Sequence, residues 1–238
     1  LSFGFAIKTM DKKRALWATF IFGTLTSLRL IEGNLALTEI FMILPITTAV
    51  LFAILRKFDY LSVFIAGILF AVASLYKQVG ALEAAAFGIF LFLGEKKFFE
   101  FCKKGFILTA GFLIPYLVTI VYFFPKGLVD DWIFAAYTYY SIYFEESPQY
   151  ANLINISKFM PPVVVILYGL FKKYRTKSVD IFHLFLLWCS FSFLGSYFSG
   201  RTYGHYLVQV TPSLALLIAS FSLKFKFEKA RVMFLVLF

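Results

Sequence analysis

Residues 36–77 read ALTEIFMILPITTAVLFAILRKFDYLSVFIAGILFAVASLYK. Two apolar runs, 36–55 and 60–76, are separated by the knot Arg56, Lys57, Phe58, Asp59 and closed by Lys77. Neither run alternates polar with apolar residues, as a half-buried strand would; each has the length and all-round hydrophobicity of a buried or membrane-spanning helix. The same rhythm continues on both sides, with apolar segments at 15–31, 80–94, 105–124, 159–171, 181–198 and 206–223. The first seven residues read as the end of one more helix and Val232 to Phe238 as the start of another.

The fold expected is therefore an all-α membrane protein: a polytopic transmembrane helix bundle of about eight complete helices plus two truncated ends. Residues 1–238 would form a single transmembrane domain, a fragment of a longer chain. Composition points the same way. The 238 residues are 61% hydrophobic and 21% aromatic but only 15% charged, more apolar surface than a soluble domain of this size can hide. Several segments fall short of the roughly 20 residues of an ideal span, so tilted flanks or a locally thin site are expected.

The formal net charge of +10 would suggest a nucleic-acid partner in a soluble protein. Here loop topology accounts for it. Residues 8–14, 56–57, 96–104, 172–177 and 224–231, in alternate loops, hold 18 of the 23 Lys and Arg residues; the opposite side holds Arg29, Lys77, Lys126, Lys158 and Arg201. Positive-inside bias assigns the basic loops to the cytoplasm, and no nucleic acid is needed to explain them. Cys102 falls in a charged loop and Cys189 in an apolar run, so no disulfide is expected and no zinc spacing exists.

The chemically mixed stretches all fall on the opposite, extracytoplasmic side: IEGNLALTE at 31–39, YKQVGALE at 76–83, the loop 125–158 and SGRTYGHY at 199–206. The 125–158 loop carries Trp132, Phe134, Tyr137, Tyr139, Tyr140, Tyr143 and Phe144, too apolar for a solvated linker. It reads as an outer interfacial helical loop on the membrane, as a substrate lid, or as both. Asn155, Ile156 and Ser157 form a glycosylation sequon.

Arg201 and His205 are four apart, and a helix starting near Gly200 would place them on one face beside Tyr206, forming a clamp for an anion such as phosphate. Lys77 is either a second cation of that clamp or a snorkelling lysine at a helix end. Glu39, where a run enters the membrane, suits a general base or a metal ligand, or an acid at a helix start. Glu32 reads as a solvated turn residue. Asn34 is a candidate substrate contact; Asp130 and Asp131 are either substrate contacts or residues of a solvated loop.

Three stretches, GNLALTEIFMILP at 33–45, SLYKQVG at 74–80 and GRTYGHYLVQVTPSLALL at 200–217, resemble the polytopic glycosyltransferases of the GT-C class. The resemblance is to relatives of dolichyl-phosphate-mannose protein mannosyltransferases and of the lipid A aminoarabinose transferase. It implies a polyprenyl-phosphate-linked sugar donor held in the membrane, a hydroxyl-bearing acceptor and a divalent metal ion as a candidate cofactor. Lys77 and Arg201 would bind the donor phosphate with His205 and Tyr206 nearby, and Glu39 would assist a metal or the acceptor. The family's first acidic motif would lie upstream of Leu1. Multi-pass placement in the plasma membrane is expected for a prokaryotic source, and in the endoplasmic reticulum for a eukaryotic one. The competing expectation is a transporter or flippase of a lipid-linked anion, for which broken helices and related halves would be required; no internal repeat is seen. A structural or polymer-ligase membrane protein is a third.

Overall fold

A computed structural model describes residues 4, 8–33, 35–139, 159–198 and 203–221. Asn34, Arg201, most of the 125–158 loop and, apart from Gly4, the two expected partial helices lie outside the described residues. Within them the chain is all-helical, with no strand. Nine α-helices succeed one another: α1 (Lys12–Ser27), α2 (Thr38–Leu55), α3 (Tyr60–Tyr76), α4 (Gly80–Gly94), α5 (Phe98–Phe123), α6 (Val129–Ile133), α7 (Met160–Thr176), α8 (Ile181–Phe198) and α9 (Thr211–Phe221). Eight coincide with the apolar segments of the sequence; the short α6 is additional. Among the described residues, Thr38–Leu55, Phe98–Lys126 and Ile181–Phe198 are long and apolar enough to cross a membrane.

Local chemistry sets the helix boundaries. Asp11 caps α1 by accepting from the Arg14 amide at 3.0 Å, and Asp59 caps α3 by accepting from that of Ser62 at 2.9 Å. The Arg56–Asp59 knot turns tightly, with Lys57 and Phe58 both left-handed and the Phe58 ring tucked against Phe90 at 5.2 Å. Pro161 and Pro162 fall in the first turn of α7, where a missing amide hydrogen costs nothing, and Pro212 is the second residue of α9. Pro45 and Pro115 lie inside α2 and α5.

Helix α8 is the centre of the bundle. Leu184, Phe185, Leu187 and Trp188 are all buried, and they meet Phe70 of α3 and Phe87 of α4 in one continuous apolar core. Helices α3 and α5 run parallel, tied by Tyr60 to Glu100 at one end and Ser74 to Tyr116 at the other, each at 2.6 Å. Between these ties Gly67 and Gly111 let the backbones touch: a Cβ on Gly67 would strike the Leu108 carbonyl, and one on Gly111 the Phe64 carbonyl. Such small-residue contacts are how apolar helices approach closely.

Beyond that contact α5 leaves a large apolar face uncovered, including Phe106, Leu113, Leu117, Val118 and Val121. The two ends of the bundle differ in character. One carries Arg56 with Asp59, Lys104 with Glu95, and Lys172 with Asp180. The other gathers the start of α2, the end of α3, the start of α4 and a seven-residue 3-10 helix, Gly204–Val210.

Candidate functional site

Helix α2 begins with Glu39 in its first turn, α3 ends with Lys77 as its C-cap, and the 3-10 helix presents Tyr206. These three meet. The Lys77 ammonium pairs with Glu39, whose side chain is 2% exposed, and lies 3.8 Å from the centre of the Tyr206 ring. Thr38 donates its hydroxyl to the other Glu39 oxygen at 3.1 Å. A cation on an aromatic face and against a shielded carboxylate is held by charge on two sides. Lys77 and Glu39 are thus each other's charge partners.

A second pair borders the first. His205 Nδ1 stands 2.8 Å from Glu32 Oε2, bringing together positions 173 residues apart. The His205 ring stacks on Tyr203, centroids 5.5 Å apart and planes 11° from parallel, and meets Tyr206 edge-on at 4.7 Å. Glu32 takes up a left-handed backbone, φ 55, at the end of the turn Arg29–Ile31. Gly204 packs its backbone directly on the Leu30 carbonyl of that turn, where a Cβ would collide. Arg29, Glu32, Tyr197, Tyr203 and Tyr206 line a cleft of about 450 Å³.

The region differs from the expected clamp in one respect. Tyr203 is extended, φ −73 and ψ 135, so the helical stretch carrying His205 starts at Gly204 rather than near Gly200. The four-residue spacing from position 201 therefore has no continuous helix behind it; Arg201 itself lies outside the described residues, as does Asn34. The last segment, read as one helix over 206–223, is a 3-10 helix to Val210 and α-helical only from Thr211.

Asp130 and Asp131 are exposed in the first turn of α6, which packs on α5, and they are not brought into the Glu39, Lys77 and Tyr206 cluster. The adjoining turn does reach the site's edge, because Gln78 donates to the Ala136 carbonyl. Among the described residues no group of three or more His, Cys, Asp and Glu is placed to hold a metal ion. The neighbours of Glu39 are an ammonium and a hydroxyl, not the set of oxygen donors a divalent cation prefers.

Sequence reading alone passes over two acidic residues. Glu32 looks like a solvated turn residue because its partner is so distant in sequence. Glu83, 3% exposed in α4, accepts from the Ser192 hydroxyl at 2.6 Å, while Gln209 donates to the Ser192 carbonyl at 2.9 Å. Its signal was available, a lone carboxylate inside an apolar run. No family model, curated protein or solved structure matches this chain.

Proposed function

We propose that the chain is a polytopic membrane glycosyltransferase that passes a sugar from a polyprenyl-phosphate-linked donor to a hydroxyl acceptor at the extracytoplasmic face. The observation that carries this reading is the meeting of Lys77, Glu39 and Tyr206 from three separate segments, two of which also line an apolar groove. That groove, about 370 Å³, is lined by Phe22, Ile40, Leu44, Val208 and Leu216, so it shares the segments that bear Glu39 and Tyr206. A lipid phosphate needs a cation for its headgroup and an apolar channel for its chain. The three long apolar helices and the uncovered face of α5 support the membrane setting.

In the reaction the acceptor oxygen attacks the anomeric carbon, the bond from that carbon to phosphate oxygen breaks, and its electron pair leaves on the polyprenyl phosphate. Lys77 stabilises that leaving charge. Glu39 and the Tyr206 ring hold the ammonium in place before the donor arrives, so little reorganisation is needed when charge develops. Arg201 contributes a second cation in this reading.

Two measurements on the native full-length protein test it. Native mass spectrometry in detergent should show selective binding of a polyprenyl phosphate, weakened by Lys77→Ala. Transfer from a radiolabelled polyprenyl-phosphate sugar should fall by about a hundredfold or more in Arg201→Ala, the scale seen when one electrostatic donor is removed from an active site. Absence of binding would sink the proposal. Movement of unchanged lipid across the bilayer without product would favour a flippase.

A further inference from the structure

We infer that Glu32, rather than Glu39, takes the proton from the acceptor hydroxyl, and that the cleft it lines receives a carbohydrate acceptor. This rests on the glycosyltransferase reading above. Glu39 is poorly suited to the task, being 2% exposed and already paired with Lys77. The Glu32 side chain is 45% exposed and lines the cleft of about 450 Å³, a volume within the usual range for a small-molecule site.

The walls of the cleft fit a sugar. Tyr197, Tyr203 and Tyr206 make its lining aromatic, a chemistry suited to the C–H side of a pyranose ring, while Arg29 and Glu32 add a donor and an acceptor for its hydroxyls. Tyr206 stands at the boundary of the two regions. It lines this cleft and also carries the Lys77 ammonium at 3.8 Å. The acceptor cleft and the phosphate site are thereby neighbours that share one side chain.

His205 is a positioning residue. Its Nδ1 hydrogen bond to Glu32 Oε2 and its stacking on Tyr203 fix the carboxylate toward the cleft. Glu32 closes the turn Arg29–Ile31 in a left-handed conformation, φ 55. As the acceptor oxygen forms its bond to the anomeric carbon, its proton passes to Glu32. The bond from that carbon to phosphate oxygen breaks, and its electron pair departs on the lipid phosphate. The proton and electrons balance without any further reactant.

The experiment uses the native full-length protein, radiolabelled polyprenyl-phosphate hexose and pentose as donors, and octyl glucoside as the carbohydrate acceptor. Glu32→Gln should lower kcat by about a hundredfold or more, the contribution typical of a placed general base, while polyprenyl phosphate binding stays at the wild-type level. His205→Ala should lower kcat while polyprenyl phosphate binding stays unchanged, and His205→Gln should recover part of the loss. Added formate should restore some transfer to Glu32→Ala. Wild-type turnover in Glu32→Gln would overturn the inference and leave the glycosyltransferase reading standing. So would a joint loss of donor binding, which would make Glu32 structural. No transfer by the wild-type protein from either donor would overturn both.

Discussion

Lys77 and Glu39 are an ion pair shielded from water, and each is stable only while the other is present. Removing one partner of such a pair costs about 3–5 kcal/mol, because a buried charge is left without compensation. Lys77→Met and Glu39→Gln are each expected to lower the melting temperature in detergent sharply, and the double variant should recover most of the loss. A double variant as unstable as the summed singles would show that the two residues act independently. At the opposite end, hydrogen bonds from the Ser62 amide and side chain, with Arg56 beside them, hold the Asp59 carboxyl below its usual range. A carboxyl lowered by folding stabilises the folded state above its ordinary value of 3.8 and loses that contribution as pH falls through the folded value. Acid unfolding followed by circular dichroism should show this loss in the wild type and a weaker pH dependence in Asp59→Asn.

The α3–α5 contact depends on two missing side chains. Gly67→Ala or Gly111→Ala forces a methyl group against a carbonyl on the facing helix, and overpacking of this kind costs about 1–3 kcal/mol. Both substitutions should lower thermal stability, whereas Gly94→Ala, with open space at its Cβ, should not. The positions of the eight longer helices were legible because apolar runs broken by charged knots allow few alternatives. Boundaries were less so. Helix α5 starts at Phe98 instead of 105, since Glu100, Lys103 and Lys104 make its first two turns look like loop while remaining good helix formers. The 3-10 helix was hidden because its apolar residues Leu207, Val208 and Val210 run on into those of α9, and hydrophobicity does not distinguish the two windings. At the site, Lys77, Glu39, His205 and Tyr206 stood out as polar residues at the mouths of apolar runs. The pairing of Glu32 with His205 did not, because nothing local connects residues so far apart in the chain.

For the whole molecule, orientation is the property most directly open to test. Cys102 is exposed near the start of α5, on the side assigned to the cytoplasm, and Cys189 is buried in α8. A membrane-impermeant maleimide should therefore leave intact cells unlabelled and modify Cys102 once they are opened; labelling of Cys102 in intact cells would invert the topology. The 3-10 helix Gly204–Val210 has a further consequence at this scale. Its seven residues exceed the three or four usual for that winding. At a rise of about 2.0 Å per residue against about 1.5 Å for an α-helix, rewinding the segment would shorten it by roughly 3.5 Å and swing one end through roughly 140° relative to the other. Since α9 follows without a break and packs against α1, a change of winding in this segment would be passed directly to α9 and through it to α1.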